Sequence, residues 1–444
     1  MKRWMNAALI YRDPRILSIL LLGFSSGLPF FLTLATLHAR LSEAGISKTT
    51  IGFFVLLTLP YSFKFLWAPM IDAIRIPFLK ELFGHRKSWM ITSQIALFFS
   101  LVALGRVDPG ENLLLTGVLT LLVAFWSATQ DIVIEAYRVE ILYQTPLLGP
   151  GSSASVLGYR LGLWASGAGA LYLASHFSWS AAYTFMAFCL SLGLITTLLS
   201  PEPIISTGLT KNPKLLELDA YRKRKKSFII NAFKTFVGSF SSLLSRGNWV
   251  TILLFIVLYK IGDTLLNVMS VPFLLEIGFS KLEIAHVAKS FGIGAMIIGG
   301  LIGGLLLSRR PLLYTLLLCA CLQVAASLMF MAQAYAGKNL VMLFATMGVE
   351  NLACGMGSAA FITYLSRLCH TPYTASQFAL LSSLASFARV VFSSLCGWAA
   401  DHLEWTSFYS IGAIACIPFA VLILIRSKDF IFEYEVPTTS EEAA

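Results

Sequence analysis

Arg222-Lys223-Arg224-Lys225-Lys226 is an unbroken run of five cations near the middle of a 444-residue chain. Reading outward from it, six long apolar runs lie on each side. Those before it fall near 16–40, 49–71, 88–105, 113–137, 152–175 and 180–200. Those after it fall near 249–275, 284–307, 311–335, 339–366, 373–398 and 405–426. A helix needs roughly 20 mostly apolar residues to cross a bilayer, and the runs are of that order. The pattern predicts an all-α integral membrane protein of twelve transmembrane helices in two six-helix bundles, residues 1–200 and 249–428. Between them lies a basic linker over 201–248, and a tail over 429–444 is expected to be disordered.

Composition agrees. The chain is 57% hydrophobic and only 13% charged, with a mean hydropathy of +0.76. A soluble domain carries about 25% charged residues, so soluble domains, coiled coil, collagen and disorder are all excluded. The net charge of +10 does not gather on an aromatic-laced face but sits in short segments between apolar runs. That is the positive-inside pattern rather than a nucleic-acid surface. Segments on the N-terminal side hold roughly 23 of the 33 Lys and Arg, against about five in the opposite loops, so both termini are expected to be cytoplasmic. The basic linker is expected to lie along an anionic leaflet, with a lipid or regulatory site as the sharper alternative. The seven cysteines fall almost entirely in apolar runs without zinc spacing and read as packing residues, so no metal or cofactor is expected.

Two six-helix halves joined by a basic connector point to the major facilitator superfamily, whose substrate site lies between the halves near the midplane. The internal repeat is weak but visible. Arg160 in helix 5 answers Arg389 in helix 11, and the acids Asp131 and Glu135 of helix 4 answer Glu350 of helix 10. Loop 2–3 carries Asp72, Arg75, Gly84, His85, Arg86 and Lys87, similar to the superfamily's gating loop, with Arg309 and Arg310 as its echo in loop 8–9. Asp72, Arg75, Arg86 and Lys87 are the expected gating residues.

A charge at mid-bilayer is costly, so it faces a cavity or a partner. The residues in question are Lys64, Asp131, Glu135, Arg160, Lys260, Asp263, Glu350 and Arg389. Asp131 and Glu135 stand four apart on one helix face, where like charges repel, and two carboxylates in a low-dielectric site suit proton loading. The plainer alternative pairs Glu135 with Arg138, three residues on. Lys260 and Asp263 form either an internal ion pair or, through Lys260, an anion-binding group. Glu350 and Asn351 precede Gly355 and Gly357, where backbone or a bulky ligand could approach. Ser382, Ser386, Arg389 and Ser393 make one polar stripe that serves either substrate or helix packing. The six histidines show no catalytic grouping with Ser or Asp, so an enzyme is not expected.

Blocks of sequence sharpen this reading. Leu22-Gly23-Phe24-Ser25-Ser26-Gly27-Leu28-Pro29, Phe63-Lys64-Phe65-Leu66-Trp67-Ala68-Pro69, Ala128-Thr129-Gln130-Asp131-Ile132-Val133 and Val156-Leu157-Gly158-Tyr159-Arg160-Leu161-Gly162 resemble the AmpG muropeptide permease family. So do Val257-Leu258-Tyr259-Lys260-Ile261-Gly262-Asp263, Glu350-Asn351-Leu352, Cys354-Gly355-Met356-Gly357 and Ser376-Gln377-Phe378-Ala379-Leu380-Leu381-Ser382. The resemblance runs from about residue 12 to about residue 420. It implies a proton-driven importer in the bacterial inner membrane that recovers N-acetylglucosaminyl-1,6-anhydro-N-acetylmuramic acid and its peptide derivatives. A eukaryotic relative of that family carries acetyl-CoA.

Gln130, Asp131, Arg160, Lys260, Asp263, Glu350 and Asn351 are carried over from the family. With Gln377 and Arg389 they make the expected substrate site, Asp131 and Glu135 being the proton-coupling pair. The sequence departs from the family where Glu135 replaces an Asp, where Ala73 follows Asp72, and in stopping at twelve helices where some members continue for two more. The expected mechanism is alternating access by a monomer, with the proton gradient as energy source and membrane lipids as neighbours. The alternatives are a carrier of another anionic metabolite, such as an acyl-CoA or small peptide, and a sensor of wall fragments that does not transport.

Overall fold

The computed structural model describes residues 9–143, 145–203, 228–246, 248–284, 286–287, 291–369 and 373–425, and every regular element among them is helical. The Arg222–Lys226 run and the 429–444 tail lie outside the described residues. Eleven helices are long and apolar enough to cross a membrane by length and composition. Helices 1 to 4 are Pro14–Glu43, Thr49–Leu66, His85–Arg106 and Leu113–Ile141, and helix 6 is Trp179–Leu199. Helices 7 to 12 are Trp249–Glu276, Gly292–Arg309, Leu312–Ala336, Leu340–Leu368, Thr374–His402 and Trp405–Ile425.

The twelfth expected span, helix 5, is present but interrupted. Leu148–Trp164 and Ala170–His176 are α-helical, and Ala165–Gly169 between them is a π turn. The widened turn is held from helix 1, where Thr36 Oγ1 donates to the Ser166 carbonyl at 2.7 Å. Helix 1 itself breaks at Thr33–Leu34, and Pro29 lies inside its first segment. Helix 2 is built of short α and 3-10 pieces around Pro60 and resumes as Ala68–Ala73.

Lipid gives no hydrophobic drive for helix pairing, so close approach of backbones through small residues does the work. Helix 1 lies on helix 5 in this way: a Cβ at Gly158 or Gly162 would run into the carbonyls of Leu20 and Phe24. Helices 8 and 10 meet likewise, Gly299 against Leu352 and Gly355 against Met296. The two halves repeat one another in detail. Trp179 Nε1 donates to Glu43 at 2.7 Å, and Trp405 Nε1 donates to Glu276 at 2.9 Å, each tying a half's last helix to its first. Asn112 caps helix 4 as Asn339 caps helix 10.

Contacts between the halves gather at one end, where helices 2, 4, 8 and 10 finish and helices 3, 5, 9 and 11 begin. This is the basic end of the molecule. There Tyr11 donates to the Leu301 carbonyl at 3.0 Å, and Ser153 donates to the Gly300 carbonyl at 2.6 Å. Within the linker span an additional helix, Phe228–Leu244, packs against Ala68–Ala73 and against helix 11. Sequence periodicity had not assigned it.

Gly158→Val is expected to lose about 1–3 kcal/mol by overpacking the helix 1–helix 5 contact, read as a lowered melting temperature in detergent. Gly294→Ala, on open space in helix 8, is expected to leave it unchanged.

Candidate functional site

Helix 4 carries the centre of the site. Three consecutive side chains are fixed from neighbouring helices: Thr129 accepts from Trp67 Nε1 at 3.1 Å, Gln130 donates to Ser25 Oγ at 3.1 Å, and Asp131 accepts from Ser26 Oγ at 2.5 Å. One turn further on, Glu135 pairs with Lys64 of helix 2 at 3.0 Å. Lys64 is buried and lies within electrostatic reach of Asp131 as well. The like-charge repulsion expected on this helix face is therefore relieved by a cation supplied across the bundle.

The pairing of Glu135 with Arg138 is corrected by this geometry. Arg138 turns to the other half, where its Nη2 donates to Ser366 Oγ at 3.3 Å and its guanidinium lies 5.1 Å over the Phe378 ring.

Tyr159 stands where the charges of both halves meet, within electrostatic reach of Asp131, Glu135, Arg160 and Arg389. Arg160 and Arg389 are exposed although both sit in membrane-crossing helices, and a charge so placed belongs in water rather than lipid. They mark the wall of a solvated space between the halves. On helix 7 the Lys260 ammonium lies 4.8 Å over the Phe361 ring and 5.6 Å over Tyr259. The Asp263 side chain lies outside the described residues.

Other expected site residues are placed differently. Glu350 and Asn351 are buried within the second half, and Asn351 donates to the Met347 carbonyl of its own helix at 2.9 Å. Gln377 is not beside this space. It is buried at the basic end and donates to the Ser239 carbonyl of the linker helix at 3.4 Å. In the stripe along helix 11, Ser382 and Ser393 bond to carbonyls of their own helix.

At the basic end, two of the expected gating residues belong to an ion cluster closed by a helix terminus. Arg86 binds Glu140 at 2.6 Å and Asp72 at 2.8 Å, all three side chains being almost fully buried. Asp72 also accepts the Ala375 N–H at 3.3 Å, the Ser376 N–H at 2.8 Å and the Ser376 hydroxyl at 2.5 Å. Those amides belong to the first turn of helix 11, whose donors have no partner within the helix. One carboxylate thus joins the two halves.

Lys87 is not part of this bridge: it donates to the carbonyls of Leu198 and Ser200, within its own half. Arg75 is exposed and stands outside the cluster. Glu202 accepts the Arg86 and Lys87 N–H groups at 2.7 and 3.1 Å, and burial pushes its carboxyl above the usual range despite them. Among the described residues no group of His, Cys, Asp and Glu could hold a metal ion.

Lys64, Ser26, Glu140 and Glu202 were not assigned from sequence. Lys64 alone left a signal there, as a cation inside a spanning run.

Removing Arg86 would strand two buried carboxylates, a loss of about 3–5 kcal/mol. Arg86→Ala is therefore expected to unfold far below the parent temperature in detergent, with Arg86→Lys intermediate.

The geometry has parallels. A family model described as "Acetyl-coenzyme A transporter 1" matches residues 15–116. The anhydromuropeptide permease of Escherichia coli (strain K12) is 38% identical over 418 residues, 94% of this chain and 80% of that protein. The putative transporter AmpG 3 of Rickettsia typhi is 33% identical, covering 95% of this chain and 98% of its own. Among solved structures, the proton:xylose symporter XylE of the major facilitator superfamily, bound to 6-bromo-6-deoxy-D-glucose, superposes with a TM-score of 0.65. It covers 95% of this chain and 96% of its own at 11% identity, a likeness of fold. With the two-half architecture, the charged space between the halves and these relatives together, the chain belongs to the AmpG permease family and is a multi-pass secondary transporter of the major facilitator fold.

Proposed function

We propose that this chain imports peptidoglycan-derived anhydro-muropeptides across the bacterial inner membrane by proton-coupled alternating access. The observation that carries the substrate class is the 38% identity to the Escherichia coli anhydromuropeptide permease along nearly the whole chain. The site is chemically suited to such a load. Arg160, Arg389 and Lys260 offer cations to peptide carboxylates.

Coupling rests on charge counting in the helix 4 cluster. With Lys64 charged and Asp131 and Glu135 ionised, three buried or half-buried groups carry one net negative charge. One proton neutralises the cluster, and a neutral cluster crosses a low-dielectric passage at far less cost than a charged one. In this reading Asp131 takes the proton from the outer side while the basic end is shut. The loaded halves then rock, and the Asp72 bridge to helix 11 opens. At about 150 mV one proton supplies about 3.5 kcal/mol, enough for roughly a 300-fold gradient.

The family model that matches residues 15–116 supports a second reading, an acyl-CoA carrier in which the same cations meet phosphates. Excess acetyl-CoA should compete with muropeptide uptake in that case and leave it untouched in the first.

Cells expressing the chain are expected to accumulate radiolabelled anhydro-muropeptide, and an uncoupler should abolish accumulation. Asp131→Asn should lose uphill uptake while keeping exchange of substrate down its gradient. Full accumulation by Asp131→Asn would remove that residue from coupling. Lys64→Met should depress uptake at least tenfold, and Lys64→Met with Glu135→Gln should recover part of it, because the double change returns the cluster to one net negative charge that a single proton neutralises.

A further inference from the structure

The linker helix Phe228–Leu244 has no part in the expected transport machinery, yet it sits on the gate. On one side it packs against Ala68–Ala73, the short helix that carries Asp72; on another it packs against helix 11, which carries Ser376. Gly238 backs onto Tyr373, so closely that a Cβ there would stand 2.8 Å from the phenol oxygen. Ser239 accepts from Gln377, and just past the helix Arg246 donates to the Leu368 carbonyl at 2.6 Å. Leu243 is buried in one apolar cluster with Val139 of helix 4, Leu368 and Cys369 at the end of helix 10, and Phe378 of helix 11. The linker helix thus packs against parts of both halves, Ala68–Ala73 of the first and helix 11 of the second, which must separate when the basic end opens.

We propose that the linker helix is a clasp on the gate: Gly238, Ser239, Leu243 and Arg246 hold helix 11 and the end of helix 10 against the Asp72 helix. Opening of the basic end then requires that these contacts be given up, so the clasp sets the fraction of time the gate is open. Gln377 is a positioning residue in this scheme, acting through the clasp rather than on substrate. The inference needs only the alternating-access reading and stands or falls independently of the substrate.

Cys369 lies under the clasp and Ser153 lies across the gate, where helix 5 meets helix 8, away from the linker. Each can report opening. One version of the full-length protein keeps Cys369 as its only cysteine, and another carries Ser153→Cys in a cysteine-free background. Both are labelled with a water-soluble maleimide in membranes, without substrate.

Leu243→Ala and Gln377→Ala are expected to raise labelling at both positions together, by at least about threefold, with Leu243→Met restoring the parent rate. A rise at Cys369 alone would mean that the substitution merely uncovers that thiol, and would overturn the proposal. Unchanged labelling at both positions in folded protein would overturn it too. If Leu243→Ala fails to fold, Gln377→Ala, which removes the bond to the Ser239 carbonyl, decides the matter.

Discussion

Asp72 serves two partners that belong to different halves, and the closed form depends on its doing so. Within its own half it shares Arg86 with Glu140. Toward the other half it receives the first amides of helix 11. A buried carboxylate needs several donors to offset the loss of water, and here no single half provides them all. The charge therefore draws helix 11 onto the end of helix 2. Separation of the halves leaves Asp72 short of donors until water reaches it, which gives the gate a barrier rather than a soft hinge.

The same requirement organises the centre of the bundle. Helix 4 is rich in polar groups at a depth where none is free of cost, and Thr129, Gln130, Asp131 and Glu135 find partners on helix 1 or at helix 2 and its end. The partners lie 62 to 105 residues away in sequence. Closure of these bonds fixes how helix 4 is turned, and with it the face that Asp131 and Glu135 present toward Tyr159.

How far the sequence could be read follows from that distance. Most of the spanning runs were legible because bilayer thickness acts on each segment alone, and eleven of the twelve expected are long and apolar enough to cross. The acids of helix 4 were legible because helical pitch relates residues three or four apart. The partner of Glu135 was not, since pitch pointed to Arg138 while the cation that arrives, Lys64, comes from another helix. Lys87 reads like Arg86 in sequence, but one step around a helix turns its side chain to helix 6 instead of to Asp72. Gln377 misled for a related reason: it stands in a family-like block, and its position at the start of helix 11 puts it beside the linker. The linker helix itself was obscured by the cationic run before it, which dominates any reading of that span by charge.

The π turn at Ala165–Gly169 has a bearing on ancestry. Such a turn holds one residue more than an α turn, so everything after it is rotated by about 100° relative to an uninterrupted helix. Tyr172 and His176 consequently face a direction that the phase of Arg160 would not forecast. Insertion of a single residue into a regular helix would produce a widened turn of this kind. A relative with a continuous fifth helix would then align to this chain only with a one-residue gap near Ser166. The Thr36 hydroxyl that steadies the widened turn would lose its carbonyl partner in such a relative, and helix 1 would be free to carry another residue there.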